Sequence, residues 1–566
     1  LMNIRKILIL ILALPAFSAA VIPATAASAA NLDASLLHDL NPGPSGSQAE
    51  YFEPFGDRIF TAGRDSDGHE PWAFDATSAI RLGDIAPGPH GSSVSQPTLL
   101  NGEVYFSAND EVHGTELWRT SGNGVQMVED INPGPDGSSV SSLEVLGNHV
   151  YFGAFDPVNG NELWKADASG ADLVKDIAPG VNNSYPSNLK TFGGKLYFTA
   201  YDGVKGNELF RTDGVTTDVF ADVYPGANGS YPGNLTPVAG LLYFTASLPA
   251  TGNELWKTDG VTTNPVGEIN PGADSSYPSY LSAIGNQLFF QATDPAHGTE
   301  PWRTNGGAPS LVSDIYPGAE GSYPSYFADL DGQAYFSAYE PTHGTEPWRS
   351  TPTGAELLGD LIPGKASSGP YAFTEFGGSM YLTADTSSEG VELRKVEPGG
   401  IRLVEDILPG TSSSYPYGMT VVGDRMIFSA NDGTHGQEIW QLGPDSSVSI
   451  QILGKNSPVG KQGFAAVRLT CPITEANGPC KVKLTVKTAG PVNFKGRKKK
   501  VVISRKTITV AAGATGTAKM KISKPVLELL RSSGKARKTR ITAAVSDRAG
   551  NRKTVSKAYK LGKPAK

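Results

Sequence analysis

The chain has 566 residues, a formal net charge of −8, 66 glycines, 41 prolines and two cysteines. That length exceeds one ordinary domain, and abundant glycine and proline with almost no long apolar runs of helical period point to many short strands joined by tight turns. The charge is split: from residue 451 onward 28 Lys and Arg face 3 Asp and Glu, leaving 20 against 53 before it, so an acidic body precedes a basic tail.

Residues 1–29 read as a secretory signal peptide. Arg5 and Lys6 precede the apolar run ILILILAL (7–14), and ATAASAA (24–30) supplies small residues for cleavage after Ala29. Pro15 interrupts a run already short for a bilayer, so the expectation is a secreted or envelope-associated mature chain with no transmembrane anchor.

Residues 30–445 are a repeat. A glutamate recurs every 46 residues at Glu70, Glu116, Glu162, Glu208, Glu254, Glu300, Glu346, Glu392 and Glu438. Two positions later stand Trp72, Trp118, Trp164, Phe210, Trp256, Trp302, Trp348, Arg394 and Trp440, which accounts for all seven tryptophans. A second marker, Asp-aliphatic-x-Pro-Gly, keeps the same beat from Asp39 to Asp406, with only the first interval slipping to 45. Within one unit, SNLKTF (187–192), KLYFTA (195–200), NELFRT (207–212) and TDVFADV (217–223) read as four short strands joined by turns. Four strands in so short a period predict a β-propeller blade. The first copy opens on a last strand, LLHDL (36–40), and the ninth stops after its third, QEIWQL (437–442), so an N-terminal strand is expected to complete the ninth blade. One nine-bladed ring is favoured over two smaller rings because no linker breaks the period.

The motifs ELWRT (116–120), LVKDIAPG (173–180) and NELWKTDGVT (253–262) resemble the bacterial ELWxxDGT repeat proteins across residues 36–442. The resemblance implies an exported β-propeller and no established reaction. The eighth copy, VELRKVEPGG (391–400), departs most, lacking both the tryptophan and the Asp-Gly turn.

Residues 446–566 form a second domain. Alternating stretches, among them AAVRLTC, CKVKLTV, KVVIS, KTITV, TAKMKIS and RITAAVSD, with a helical candidate at PVLELLRSS (525–533), predict about seven strands of an Ig-like sandwich. DRAGN (547–551) resembles a turn of bacterial Ig-like modules. Cys471 and Cys480 are expected to form a disulfide in an exported chain. The clusters KGRKKK (495–500) and RSSGKARKTR (531–540) suit an anionic envelope polymer or glycan, docking on the acidic body, or no specific partner. No recognition motif accompanies the charge, so specific nucleic-acid binding is not expected. A monomer is expected.

Candidate sites follow the repeat. His113, His297, His343 and His435 share one address that elsewhere holds Asn159, Lys205 or Thr251, so no fixed metal chemistry is read there. The pairs Asp110/Glu116, Asp156/Glu162, Asp202/Glu208, Asp294/Glu300 and Asp432/Glu438 flank a glycine-containing loop. They would either hold calcium through carboxylate oxygens or serve structure, Glu bonding loop amides and Asp shaping the turn. No cofactor other than calcium is expected. The tryptophans read as packing between blades.

Strand parity puts the long loops on one face of the ring. There Tyr185, Tyr231, Tyr277, Tyr323 and Tyr415 share an address and would stack sugars, grip a cationic ligand, or pack beside the next proline to fix the loop. No catalytic residue is assigned. The residues that break the repeat (Arg64, Asp65, Asp67, Glu389 and Arg394, with His38, His90 and His149) form no recognisable nucleophile–base pattern. The expected function is therefore non-catalytic surface interaction or ligand binding, with the basic domain for envelope retention. The rival is a polysaccharide hydrolase or lyase with its site over the channel, for which the odd charges of blades 1 and 8 would have to converge on one pocket.

Overall fold

The computed structural model describes residues 32–444, 451–453, 456–460, 463–470, 480–510, 515–546 and 552–564. The expected signal peptide, Cys471, the side chain of Cys480 and the expected turn at 547–551 lie outside the described residues. The chain is all-β, and it divides into a unit spanning Asp33–Gly443 and a second comprising Pro444 onward.

The larger unit contains nine four-stranded antiparallel sheets, in a β-propeller-like arrangement. The fourth sheet shows why the sequence folds this way. Its strands are Ser187–Phe192, Lys195–Tyr201, Asn207–Thr212 and Thr217–Ala221. Gly193 and Gly194, at φ 57° and 74°, make the tight turn between the first two. Leu196, Tyr197, Phe198, Thr199 and Ala200 are all buried, so this strand is covered on both faces and its apolar run does not alternate. The first strands stand beside one another in chain order, and the ninth, Tyr417–Val422, stands beside that of the first sheet, Glu50–Phe55.

Packing is between sheets. Phe55, Phe60 and Leu82 of the first sheet form one cluster with Val104, Phe106 and Ala108 of the second, and Trp118 packs against it. Trp302 of the sixth sheet joins Val238, Tyr243 and Leu255 of the fifth in the same way. Burying a large apolar side chain contributes about 1.5–3 kcal/mol, and the tryptophan address repeats that gain from sheet to sheet.

The ninth sheet takes its outer strand from the other end of the unit. Leu32–His38 lies beside Gln437–Pro444, which continues to Arg425–Asn431 and Tyr417–Val422.

Each first strand carries an irregularity that the hydrophobic pattern does not show. Pairing shifts register between Ser187 and Lys190, around Asn188 at φ 53°, and the same shift recurs in all nine sheets. Such a bulge re-aims the side chains at the start of a strand.

Among its described residues the second unit has a three-stranded sheet, a five-stranded sheet and a two-stranded hairpin. Both larger sheets contribute to one apolar core, with Val467 and Leu469 from one, Val482, Leu484 and Val486 from the other, and Leu530 from the helix Lys524–Ser532. The two strands read at 500–504 and 506–510 are one continuous strand, Val502–Val510. The basic run 495–500 is a turn and strand: Val492–Phe494 pairs with Arg497–Lys499 across Lys495 and Gly496, at φ 53° and 74°. Lys481, Lys483 and Lys487 alternate with the buried valines and leucine, which sets them on the outward face.

Candidate functional site: the long-loop face

The repeating glutamates are buried, at 0% exposure in eight copies and 3% for Glu254. Glu300 is representative: its carboxylate accepts from the N–H of Ile315 at 3.1 Å, the N–H of Tyr316 at 3.0 Å and the Ser322 hydroxyl at 2.6 Å. A serine stands 22 positions after each glutamate from Glu70 to Glu392, and Ser47 serves Glu438, with Oγ to carboxylate distances of 2.5 to 2.9 Å. Each glutamate thus ties the end of its own sheet to the loop that enters the next. Burial pushes all nine carboxyls above the usual carboxylate range, against the hydrogen bonds that pull them down, and Glu300 reaches about 7.

The aspartates of the proposed calcium pairs have different partners. Asp110 accepts from the N–H groups of Val112 and His113, and Asp294 from those of Ala296 and His297, which closes an Asx turn. Asp156, Asp202 and Asp432 make the same turn with Val158 and Asn159, Val204 and Lys205, and Thr434 and His435. Glu116, Glu162, Glu208, Glu300 and Glu438 spend their oxygens on amides and serine instead. Among the described residues no group of three or more His, Cys, Asp or Glu is placed to hold a metal. The histidines complete the turns: Nδ1 of His113, His297 and His435 lies 2.6 to 2.7 Å from Asp110, Asp294 and Asp432, whose bonds raise the imidazoles above their ordinary range.

The residues that break the repeat fall into separate groups. Arg81 lies 3.5 Å from Asp65, 3.3 Å from Asp67 and 3.6 Å from Asp84, while Arg64 donates to the Pro89 carbonyl. Arg394 stands in the tryptophan address of the eighth sheet. Its Nε donates to the Ala384 carbonyl at 3.1 Å, as Trp302 Nε1 donates to that of Ala292 at 3.1 Å, and its guanidinium also reaches Glu389 and Thr386. His38 bonds the Asp75 carbonyl, His149 lies 3.6 Å from Asp167, and His90 is exposed.

The tyrosines are the exposed feature. Tyr185, Tyr231, Tyr277, Tyr323 and Tyr415 are 61%, 63%, 67%, 62% and 56% exposed, and all hold a left-handed backbone at φ 47° to 51°. Gln48, Ser93, Ser139 and Gly369 hold the same conformation at this address, so the fold imposes it. Glycine or asparagine adopts such a φ with least strain, and a bulky ring is the poorer choice. Neither backbone preference nor core packing accounts for tyrosine here.

Three residues further on, the bulge of the first strand presents a second set that the repeat pattern did not single out. Asn188, Asn234 and Tyr280, with Leu189, Leu235 and Ser279, line a cavity of about 630 Å³ on three adjacent first strands. The row continues with Tyr326, whose ring centroid is 6.1 Å from that of Tyr280 and 6.5 Å from that of Tyr371.

No protein-family model and no curated protein sequence matches the chain. Solved structures do. A prolyl endopeptidase structure is 14% identical, covering 67% of this chain and 54% of its own, with a TM-score of 0.34. This chain thus spans about half the length of that enzyme. The Trypanosoma rangeli sialidase is 11% identical over 82% of this chain and 84% of its own, with a TM-score of 0.25. A lectin solved with α-methyl fucoside is 12% identical over 56% and 95%, with a TM-score of 0.23.

Proposed function

We propose that this chain is an exported, non-catalytic binding protein, a nine-bladed β-propeller of the ELWxxDGT repeat type followed by a basic Ig-like domain. The long-loop face binds a glycan, and the basic domain retains the protein at an anionic cell envelope. One observation carries the binding reading: five tyrosines are more than half exposed at an address where the backbone is left-handed and the ring fills no core. Rigid aromatic faces beside amide and hydroxyl groups match a sugar, which offers C–H faces to rings and hydroxyls to polar groups. The hydrolase or lyase alternative needs the odd charges of the first and eighth sheets at one pocket, and their separate partners support binding without catalysis. Lys495, Arg497, Lys498, Lys499 and Lys500 are exposed on their hairpin, as retention by an anionic polymer requires.

A glycan and cell-wall array probed with the full chain, with and without calcium, tests this reading. Retention on at least one glycan in both conditions is expected. Retention only on polyanions, abolished by salt, would leave the tyrosine face without a ligand.

A further inference from the structure

The first and ninth sheets meet at a cavity of about 590 Å³, lined by residues that include Gln48, Glu50, His69, Tyr417, Asn431 and Gln437. Three facts set it apart from the other inter-sheet positions. His69 stands where the following sheets carry Thr115, Asn161, Asn207, Asn253, Thr299, Thr345, Val391 and Gln437. Glu50 stands where they carry Ser95, Ser141, Ser187, Gly233, Ser279, Ser325, Tyr371 and Tyr417. The second and third strands of the first sheet, ending at Asp65 and starting at Gly68, are joined by a loop one residue shorter than that from Asp156 to Gly160. That missing residue is the slip to 45 in the repeat, so the shortened loop leads directly into His69.

His69 Nε2 lies 3.7 Å from Glu50 Oε1, too far for a direct hydrogen bond, so each keeps capacity for a third partner. Burial and the nearby Arg64 hold the imidazole below its ordinary range, which makes it a neutral donor or acceptor at pH 7. Asn431 spends its Oδ1 on the Gly433 N–H, and Gln437 spends its Nε2 on the Tyr415 carbonyl. The opposite end of each amide has no protein partner among the described residues. The lining therefore combines amide donors and acceptors, a carboxylate, a neutral imidazole and a phenol ring.

A lining that offers both donors and acceptors matches hydroxyl groups, which both give and accept. A cation would meet the amide N–H groups, and an anion would meet Glu50. We infer that the seam between the first and ninth sheets is a binding site for a neutral saccharide, with Glu50 and His69 holding adjacent hydroxyls. The volume lies in the range of small-molecule sites. The inference rests on the reading of the long-loop face as a binding surface, and it assigns ligand choice to the place where the period slips to 45 residues.

The test replaces each residue by the one the second sheet carries at its address, Glu50→Ser with His69→Thr, a change the fold accommodates in that neighbouring copy. Neutral oligosaccharides on an array, followed by calorimetry with the oligosaccharide retained, are the probes. The wild-type chain should retain at least one, and the double variant should bind it at least tenfold more weakly with an unchanged melting temperature. Equal binding by the variant would overturn the seam site and leave the face as a whole standing. A wild-type chain that retains no neutral saccharide would overturn the glycan reading and this inference with it.

Discussion

Ser47 Oγ donates to Glu438 Oε2 at 2.7 Å across 391 positions of sequence. The same carboxylate accepts from the N–H groups of Leu40 and Asn41, so one buried side chain gathers three donors from the far end of the unit. In every other sheet the equivalent serine is 22 positions away, and the bond is a local clasp between neighbours. At Glu438 it joins the two ends.

Glu438→Ala leaves those three donors without their acceptor. An unsatisfied buried donor costs about 1–3 kcal/mol, and the total here should be about 3 kcal/mol or more. Ser47→Ala, which removes one donor and leaves the carboxylate its amides, should cost about 1 kcal/mol. Urea unfolding followed by tryptophan fluorescence separates the two. Equal, small effects would mean that the ends are held by strand pairing alone.

The buried glutamates set a pH dependence with a definite sign. Their folded carboxyls titrate above the unfolded value, so the native state binds protons that the unfolded chain has already released. The resulting stability is fully present below about pH 4.5 and is lost as pH rises through the folded value, about 7 for Glu300. The melting temperature should therefore fall between pH 5 and pH 8. Glu300→Gln, which mimics the protonated acid, should flatten that fall, and calorimetry at the two pH values reads both slopes. A melting temperature that rises over the same interval would show the carboxylates to be held ionised by their amides.

The sheet architecture was legible because a 46-residue beat repeats both turn chemistry and the apolar second strand, as in Lys195–Tyr201. Other features left weaker traces. The serine that binds Glu300 is 22 residues away in a loop rich in turn formers, where one serine looks like any other, although its phase was there to be read. The left-handed addresses hold Tyr, Ser, Gln, Asn, Ala and Gly, so residue type carries no signature of their backbone. Glu50 and His69 lie 19 positions apart, and only the approach of the ninth sheet to the first gives them Tyr417 and Gln437 as neighbours. In the second unit, Arg505 made one strand look like two, because its charge breaks the apolar run while its backbone continues the ladder.

Arg394 tests how far the tryptophan address is a matter of shape. Arg394→Trp restores the ring of the other sheets and the donor to the Ala384 carbonyl, and Glu389 is exposed enough to be hydrated. Its stability should lie within about 1 kcal/mol of the wild type. Arg394→Ala loses both the packing and the hydrogen bond and should cost about 2–4 kcal/mol, measured by chemical denaturation.

Envelope retention by the basic domain is an ionic claim. A chain ending at residue 445 should partition away from isolated cell-envelope material at low salt, while the full chain stays bound. Raising the salt should release the full chain as exposed charges are screened. Unchanged partitioning of the truncated chain would assign retention to the propeller.

The most direct measurement of glycan binding by the long-loop face is the affinity of the full chain for its array-selected glycan, compared with that of a Tyr231→Ala, Tyr277→Ala, Tyr323→Ala variant. The rings are 63%, 67% and 62% exposed, so their loss should leave the melting temperature within about 1 °C. Binding should weaken at least tenfold, about 1.4 kcal/mol, in that stable variant. Undiminished affinity would contradict that reading and show the tyrosines to be loop furniture rather than a binding surface.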